Sequence, residues 1–460
     1  MDFIQILKER GFVHQFTDEE GLRTLLKTPG QRAYVGYDLT GPSLHVGHLL
    51  PTMALRWFQK CGHQPVVLLG GGTTKIGDPS GKDTQRQMLT EEVIAANEAS
   101  IATAFDRLLG GKEIRVNNAD WLDKLNYIAM LREVAPHFSV NRMLTMDSVR
   151  LRLEREQPLS FLEFNYMILQ AYDFAELYKE HGVRLQLGGS DQWGNILCGI
   201  SLHEKMAFSE CSNEESGWVR SKTESVAIPY DKVISSEKSC EDLKTKQIFT
   251  AFESEEKNST VISYCDKLFG ATMNLITTAS GAKMGKTAAG AVWLNADLLK
   301  PYDYWQFWRN TEDADVGRFL KLFTELELPA IDALLAGNIN DAKVALATEA
   351  TALMHGAEEA EKAAQTAREI FAGSGVSDNL PTLHVAKAEL DAGIALIALV
   401  VQAGFAASNG EARRLIKGNG VKLNDAATTE DMRVSAADLT ADGYIKLSAG
   451  KKRHVLIKTN

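Results

Sequence analysis

The stretch AYVGYDLTGPSLHVGH, residues 33–48, contains the signals of a strand, a tight turn and the start of a helix in direct succession. Its first six residues are mostly apolar, the next five favour turns, and a helical pattern of apolar residues then runs to Cys61. Gly62 ends that helix, and an almost wholly apolar strand follows at 65–69. A strand, a helix and a second buried strand in this order predict a parallel sheet covered by helices.

The same alternation continues beyond this stretch. Thr90 is the N-cap of a predicted helix that ends at Gly110, and a long helix is predicted over 161–180. A third buried strand, 183–187, leads into the glycine-rich turn GGSDQWG. The pattern therefore predicts the α/β class, with a doubly wound, Rossmann-like parallel sheet.

Length and composition divide the chain into domains. It has 460 residues, of which 45% are hydrophobic and 24% charged, the balance of an ordinary globular protein. We expect a Rossmann-like domain over 1–325, an alanine-rich helical domain over 326–392, and a small α+β module over 393–460. No apolar run reaches the roughly 20 residues of a membrane span, and the N-terminus has no signal-peptide core, so the expected location is cytoplasmic.

The five cysteines, at 61, 198, 211, 240 and 265, form no CxxC pair. That spacing favours reduced, structural thiols over a zinc site or a disulfide framework. We therefore expect no metal that is bound by the protein alone.

Charge is distributed unevenly along the chain. The net charge is −10, yet residues 394–460 contain ten Lys or Arg against six Asp or Glu, a net of +4 that leaves −14 for the rest. A basic terminal module on an acidic body indicates a nucleic-acid partner. Arg413, Arg414, Lys417 and Lys422 lie there on a helix–turn–strand pattern. The alternative is a small α+β domain with a charged face.

The motif His45-Val46-Gly47-His48 opens the helix after the first strand. A helix N-terminus offers free N–H groups and the positive end of the helix dipole, which suit a nucleotide phosphate. His45 and His48 face the same way because they are three residues apart, and Gly47 leaves room for a flat base. The alternative is a histidine near a helix start with a packing glycine.

A second cationic motif, Lys283-Met284-Gly285-Lys286-Thr287, follows an apolar strand predicted at 273–276. Two lysines around a glycine form a cationic loop suited to a polyphosphate. Taken alone, such a motif is more often a solvated surface loop. The two motifs together, each after a strand, favour nucleotide chemistry.

One face of the helix predicted at 161–180 is polar. Tyr166, Gln170 and Asp173 are spaced i, i+4 and i+7, so they share a stripe among apolar neighbours. Buried polar groups need partners, and a bound amino acid offers an ammonium group to Tyr166 and Gln170 and a phenol hydroxyl to Asp173. The alternative is a stripe that faces solvent.

The two cationic motifs resemble the HIGH and KMSKS signatures of class I aminoacyl-tRNA synthetases, and the flanking sequence resembles tyrosyl-tRNA synthetases of bacterial type. The matching blocks are YVGYDLTGPSLHVGH, GDPSGK, LQAYDF and LQLGGSDQWGN, and the resemblance covers roughly 1–207 and 267–460. It implies activation of L-tyrosine with ATP and Mg²⁺, transfer of tyrosine to tRNA(Tyr), and a homodimer. Residues 408–425 resemble the alpha-L RNA-binding module of a ribosomal small-subunit protein, which implies that the four basic residues there contact tRNA.

The resemblance also implies roles for individual residues. Tyrosine would be bound by Tyr34, Asp78, Tyr166, Gln170 and Asp173, with its hydroxyl at Tyr34 and Asp173. ATP and the adenylate would be bound by Gly36, Asp38, Gly47, Gly189, Asp191, Gln192, Leu275, Ile276 and Lys286. Of these, Gly36, Gly189 and Asp191 would contact the ribose, and Leu275 and Ile276 would contact the adenine. The phosphates would be contacted by Thr40, His45, His48, Lys283, Lys286 and Thr287. The tyrosine carboxylate is already ionised, so the reaction needs positioning and charge stabilisation rather than a general base.

Residues 209–266 match no block of that family. They are polar and acidic, with 12 Asp or Glu and 8 Lys or Arg over 209–270, and they show no period, which predicts a surface insert in the first domain. Asn274 also stands where the family pattern has proline. Two other interpretations remain open. A tryptophan-specific synthetase is disfavoured because Tyr34 with Asp173 suits a phenol, and a non-catalytic RNA-binding protein is disfavoured because both motifs are intact.

Overall fold

The computed structural model describes residues 1–78, 89–211, 218–220, 227–229, 249–253, 260–264, 266–279, 281, 284, 286–287, 290–371, 381–440, 443–450 and 453–459. The chain divides into two compact units. The first comprises Met1–Asn295 and Gly317–Leu328, and the second comprises Ala296–Val316 and Pro329–Asn460. In the described part of the chain, no helix is long and apolar enough to cross a membrane.

The first unit is built on a parallel sheet. Its strands are β1 (Val13–Phe16), β2 (Arg32–Asp38), β3 (Gln64–Gly70), β4 (Ile114–Asn117), β5 (Leu185–Gly189), β6 (Trp218–Arg220), β7 (Ala227–Pro229), β8 (Phe249–Glu253), β9 (Thr260–Tyr264), β10 (Phe269–Met273), β11 (Lys286–Thr287) and β12 (Gly290–Ala291). Six of these described strands form one sheet in the order β1-β10-β5-β2-β3-β4, and all neighbours are parallel except β1 and β10. From β2 the chain builds outward to β3 and β4 on one side, and β5 and β10 lie on the other. The predicted doubly wound sheet is confirmed.

The helices of the first unit are α1 (Phe3–Arg10), α2 (Glu19–Leu25), α3 (Val46–Lys60), α4 (Gly71–Thr74), α5 (Glu91–Leu109), α6 (Ala119–Leu122), α7 (Tyr127–Glu133), α8 (Val140–Leu144), α9 (Asp147–Glu154), α10 (Phe161–His181) and α11 (Trp193–Cys211). Local sequence sets their ends. The Thr90 hydroxyl accepts a hydrogen bond from the first turn of α5. Gly182 ends α10 with φ 58°, a left-handed conformation that favours glycine. The predicted boundaries of α3, α5 and α10 are confirmed to within one or two residues.

The core beside the site joins α10 and α11 to the sheet. Phe174 and Leu177 of α10 and Ile196 of α11 pack with Tyr34 of β2 and Val66 of β3, and all five are buried. The rings of Tyr34 and Phe174 meet edge to face with centroids 5.2 Å apart. Because α10 is packed in this way, the polar stripe along it has a fixed position over β2.

A buried ion pair fixes the start of α10. Arg152 of α9 donates to Glu163 at 3.0 Å, and their side chains are 3% and 5% exposed. Glu163 also accepts from the Ser160 N–H and hydroxyl in a capping box. Burial opposes ionisation, but the bonds from Ser160 and Arg152 outweigh it and lower the pKa of Glu163.

Two sequence predictions for this unit need correction. The strand predicted at 273–276 lies four residues earlier, at Phe269–Met273. Its pairing with β5 stops where Met273 lies opposite Gly189, and the next residues leave the sheet. The segment 209–266 showed no period, yet it contains β6 to β9, which form two antiparallel pairs. Strands of three to five residues are too short for a periodic signal to emerge from the sequence.

The second unit holds helices and a small sheet. Its elements, together with α13, which crosses between the units, are α12 (Pro301–Arg309), α13 (Asp313–Phe323), α14 (Leu328–Ala336), α15 (Ile339–His355), α16 (Ala357–Phe371), β13 (Thr382–Val385), α17 (Lys387–Ala392), β14 (Ile394–Ala395), α18 (Leu396–Gln402), α19 (Asn409–Lys417), β15 (Val421–Leu423), β16 (Ala426–Ala427), β17 (Arg433–Val434), β18 (Tyr444–Ala449) and β19 (Arg453–Thr459). The stretch GSGVSDNLPT at 373–382, whose turn-forming residues predict a linker, lies largely outside the described residues. The core that contains Leu399, Ile416 and Leu447 also contains Val385 and Leu390. The C-terminal module, defined here as the described residues from 381 onward, therefore includes β13 and α17.

We expect Arg152→Met to lower the free energy of unfolding by about 3 to 5 kcal/mol, because it leaves a buried carboxylate without its cation. Arg150→Met on the same helix is the matched control. Arg150 pairs with Asp147 and Glu154 at the surface, where ion pairs contribute little. Denaturant unfolding of both variants measures the difference, and equal loss of stability would contradict the role given to the buried pair.

Candidate active site

The carboxyl ends of β2 and β5 are neighbours in the sheet. Asp38 ends β2 and Gly189 ends β5. The strand order reverses between these two strands, and such a switch point opens the crevice in which ligands of open α/β sheets bind. The residues singled out in the sequence are therefore considered around this crevice.

The HVGH turn and the segment that follows the lysine motif meet here. Backbone hydrogen bonds of 2.9 and 3.0 Å join residues 44–46 to residues 292–294. A Cβ atom at Gly47 would lie 3.3 Å from the Met284 carbonyl oxygen. Backbone contacts thus bring together two motifs that are far apart in the sequence.

His45 and His48 form the cap of α3. The His45 Nδ1 accepts from the Gly47 N–H at 3.0 Å, and the His48 Nδ1 accepts from the His45 N–H at 3.2 Å. The rings stack with centroids 4.0 Å apart. A ring that accepts at Nδ1 in its neutral form bears its proton on Nε2, so each histidine presents an N–H donor on its far side.

The rest of the phosphate set is described in part. Lys283 lies outside the described residues, and for Lys286 and Thr287 the structure describes the backbone strand β11, paired with β12. Thr40 is exposed in the turn before α3. The Met284 N–H donates to the Ile276 carbonyl at 2.9 Å, which ties the lysine motif to the residues expected to meet the adenine.

The polar stripe of α10 faces the sheet and not the solvent. Tyr166 and Asp173 are 7% and 2% exposed. The Tyr166 hydroxyl donates to Asp38 at 3.3 Å, and Gln170 accepts from the Asn195 side chain at 2.8 Å. The solvent-facing alternative for this stripe is wrong.

Asp173 is a buried carboxylate held by two donors. One oxygen accepts from the Asn118 amide at 2.9 Å and the other from the Trp121 indole at 2.8 Å. Burial raises the pKa of Asp173 to about 7, although the two hydrogen bonds act in the opposite direction. Within the described residues, the buried hydroxyl of Tyr34 has no hydrogen-bond partner. Burial, with the nearby Asp173 charge, raises the pKa of Tyr34 well above its usual value.

A chain of hydrogen bonds connects the two aspartates of the crevice. The Thr73 hydroxyl donates to Asp38 at 3.0 Å and accepts from the Asn118 amide at 3.0 Å, and the same amide reaches Asp173. Sequence inspection did not single out Thr73, Asn118 or Trp121. Their position just after the carboxyl ends of β3 and β4 is the signal that points to them, because those ends border the crevice.

A second polar group lies at the start of α11. The Gln192 amide donates to Asp78 at 3.1 Å, and Asn195 donates to both Gln192 and Gln170. Asn195 is 4% exposed and was not singled out in the sequence. It joins the residue expected at the substrate ammonium to the residue expected at the adenylate. The rest of the GDPSGK block, from residue 79, lies outside the described residues.

The residues expected at the ribose and adenine adjoin one another. A Cβ atom at Gly189 would lie 2.6 Å from an Asp191 carboxylate oxygen and 3.2 Å from the Leu275 side chain. A side chain at position 189 would therefore displace both neighbours. Gly36 is an exposed residue within β2. Among the residues that the structure describes, no cluster of three or more His, Cys, Asp or Glu side chains is arranged to hold a metal ion.

The four basic residues predicted to meet RNA are exposed on the C-terminal module. Arg413, Arg414 and Lys417 lie on α19, and Lys422 lies on β15. The opposite face of α19 buries Ile416 in the core of the module. This arrangement leaves a cationic surface with a rigid support.

Two protein families match the chain. The model of the family "tRNA synthetases class I (W and Y)" matches residues 27–217 and 245–372. That of the "Tyrosine--tRNA ligase SYY-like C-terminal domain" matches residues 374–457. The unmatched residues 218–244 lie inside the polar segment 209–266, so the part outside the family pattern is shorter than the sequence blocks indicated.

Relatives that match this chain along almost its whole length are named tyrosine--tRNA ligases. A tyrosine--tRNA ligase of Nitrobacter winogradskyi is 51% identical over 99% of this chain and 98% of its own length. That of Rhodospirillum rubrum is 50% identical with the same coverage. These matches overturn both the tryptophan-specific and the non-catalytic interpretations.

Solved structures agree with this fold. C-terminally truncated mitochondrial tyrosyl-tRNA synthetases of Coccidioides posadasii and Aspergillus nidulans are similar, with TM-scores of 0.60 and 0.62 and identities of 31% and 29%. They cover 79% and 80% of this chain, and 91% and 94% of their own chains are covered. The chain therefore belongs to the tyrosine--tRNA ligases, the class I aminoacyl-tRNA synthetases that activate L-tyrosine with ATP and transfer it to tRNA(Tyr).

Proposed function

We propose that Tyr34 and Asp173 select tyrosine by binding its phenol hydroxyl, while Asp78, Tyr166 and Gln170 bind its ammonium group. The observation that carries this assignment is the pair of buried polar groups beside β2: a carboxylate with lone pairs left to accept, and a phenol hydroxyl with no partner among the described residues. A substrate hydroxyl donates to Asp173 and accepts from Tyr34, so it satisfies both groups at once.

The same pair explains why phenylalanine is rejected. A buried polar group that loses its partner costs more free energy than a made hydrogen bond contributes. Phenylalanine leaves both Tyr34 and Asp173 without the substrate hydroxyl. Selectivity then comes from a penalty on the wrong substrate as well as from a contact with the right one.

The HVGH turn and the lysine motif form the phosphate side of the proposal. The residues assigned to the phosphates are Thr40, His45, His48, Lys283, Lys286 and Thr287. The residues assigned to the adenylate are Gly36, Asp38, Gly47, Gly189, Asp191, Gln192, Leu275, Ile276 and Lys286. The tyrosine carboxylate attacks the α-phosphate and pyrophosphate leaves, so donors aimed at the phosphates stabilise charge as it develops. Mg²⁺ enters with ATP as part of the substrate complex.

The division of labour follows the predicted domains. Residues 1–325 form the adenylate, residues 326–392 connect, and residues 393–460 bind tRNA(Tyr) through Arg413, Arg414, Lys417 and Lys422. Exposed cations on a folded support favour phosphate contacts. The cytoplasmic location stays a prediction made from the sequence.

A homodimer is also proposed, with its interface on α7 to α10. Large apolar side chains are exposed along this part of the chain: Tyr127 58%, Ile128 63%, Leu131 42%, Val140 57%, Leu144 40%, Leu153 49% and Phe161 71%. These seven residues define the apolar face. Exposed apolar side chains concentrated on consecutive helices favour an interaction site, and a second copy of the chain is the occupant that matches the family expectation.

Tyrosine-dependent ATP–pyrophosphate exchange tests the hydroxyl site. We expect Asp173→Ala to lose most of the kcat/KM for tyrosine and much of the preference over phenylalanine. Tyr34→Phe is expected to lose less, because a neutral hydrogen bond to a hydroxyl is weaker than one to a carboxylate. Both amino acids are measured with both variants. A wild-type preference for tyrosine in Asp173→Ala would refute the assignment.

Charge reversal at Arg413 and Arg414 together is expected to weaken tRNA(Tyr) binding and leave tyrosine-dependent exchange unchanged. The slope of log affinity against log salt concentration should fall by about 2, one for each phosphate contact. Lys387→Glu, on α17 of the same module, is the matched control. Point variants are preferable to removing 394–460, because that cut separates β13 from its partner β19. An unchanged salt slope would count against this surface.

Phe161→Asp is expected to convert the dimer to monomer, because it places a charge at the most exposed residue of the apolar face. Analytical ultracentrifugation measures the mass across protein concentrations. Val93→Asp, on the exposed side of α5, is the matched control and should stay dimeric. The proposal fails if the wild-type chain is a monomer at every concentration, or if Phe161→Asp remains a dimer.

A further inference from the structure

Helix α5 contacts both segments that bring the phosphate motifs together. From its buried face, the Asn97 amide donates to the Leu39 carbonyl at 2.8 Å. Leu39 directly follows β2 and begins the turn that leads into HVGH. The backbone entering the phosphate-binding turn is therefore held by a side chain that is itself 7% exposed.

One turn further along, α5 holds the other segment through Asn295. The Asn295 amide nitrogen donates to the Ser100 carbonyl at 3.0 Å, the Ser100 hydroxyl at 2.9 Å and the Thr103 hydroxyl at 3.2 Å. Asn295 directly follows residues 292–294, which pair with 44–46. Its own backbone N–H donates to the Ser43 hydroxyl at 3.3 Å.

The orientation of the Asn295 amide is fixed by chemistry. The Ser100 carbonyl only accepts hydrogen bonds, so the group that faces it must be the NH₂ end of the amide. The amide oxygen has no partner among the described residues. Asn295 is thus used entirely as a donor towards α5, and it is 8% exposed.

The α5 residues involved are evenly spaced. Asn97, Ser100 and Thr103 follow one another at intervals of three, which places neighbouring members side by side on the helix surface. Asn97 reaches the turn before HVGH, and the other two receive Asn295. One helix therefore joins two loops that come from opposite ends of the unit's sequence.

We propose that Asn97 and Asn295 are positioning residues for ATP. Through hydrogen bonds from α5 and to α5, they fix the position of the HVGH turn relative to the segment after the lysine motif. The proposal rests on the function assigned above to those two motifs. It concerns the phosphate side alone, because the side-chain hydrogen bonds of both asparagines go to the turn before HVGH and to α5.

The expected size of the effect follows from geometry. Activation requires the phosphates to be held in line with the tyrosine carboxylate, and a displacement of about 1 Å costs on the order of 100-fold in rate. Loss of the Asn295 anchor frees the segment 292–294 at one end while its pairing with 44–46 remains. We therefore expect kcat/KM for ATP to fall by about 10- to 100-fold.

The test compares Asn295→Ala and Asn295→Asp with the wild-type enzyme in tyrosine-dependent exchange. The aspartate has the same shape but no donor, and it sets a carboxylate against the Ser100 carbonyl. Both variants should lose kcat/KM for ATP, while the equilibrium dissociation constant for tyrosine, measured without ATP, stays within about twofold. Full kcat/KM for ATP in either variant, or an equal loss of tyrosine affinity, would overturn the proposal.

Two controls separate positioning from stability. Asn338→Ala removes the N-cap of α15 in the second unit and should lower the Tm with normal exchange. If the Asn295 variants do not fold, Thr103→Val is compared with Thr103→Ser. Valine lacks the acceptor and should lower kcat/KM for ATP by about threefold, whereas serine retains it and should match the wild type. Equal activity of these two variants would also overturn the proposal.

The two failures give different results. If the wild-type chain shows no tyrosine-dependent exchange, the proposed function fails, and the anchor proposal that rests on it fails as well. If the wild type exchanges normally and the Asn295 variants do as well, only the anchor fails.

Discussion

A carboxylate buried against an α/β sheet is stable only where donors reach it, and Asp173 imposes that requirement on the tyrosine side of the site. Its donors, Asn118 and Trp121, come from the segment after β4, whereas Asp173 itself lies on α10. The two elements must therefore approach each other across the end of β2. The position of α10 that this requires also packs Phe174 against Tyr34, so one placement of the helix forms both the apolar core and the polar site.

The phosphate side is built differently. Backbone hydrogen bonds between residues 44–46 and 292–294 join the HVGH turn to the segment after the lysine motif, and Lys286 lies on the short strand β11. The difference matches the chemistry. The tyrosine ring is bound alike before and during the reaction, so rigid contacts to it provide affinity and selectivity. Charge moves at the phosphates, and contacts that strengthen there lower the barrier.

The sequence predicted the features that local patterns determine: the faces of helices from residue spacing, their ends from capping residues, and the order of strands and helices. The spacing of Tyr166, Gln170 and Asp173 predicted one helical face, and that face lies against the sheet. It did not predict Asn118 or Asn295, because their partners lie 55 and 195 residues away in the chain and no local pattern marks such pairs. The short strands between 218 and 264 were missed because three to five residues are too few for a pattern.

Helix α10 gives these parts a common support. Phe161 at its first turn belongs to the apolar face, Tyr166 and Asp173 line the crevice, and Phe174 lies in the core. A helix rises about 1.5 Å per residue, so roughly 18 Å of α10 separates Phe161 in the proposed interface from Asp173, the carboxylate proposed to bind the hydroxyl. The buried Arg152–Glu163 pair fixes that element at the end nearest the apolar face. A second copy bound to the apolar face, as proposed, would restrain the same helix that carries Asp173, so the proposed interface and the proposed hydroxyl site would share one support.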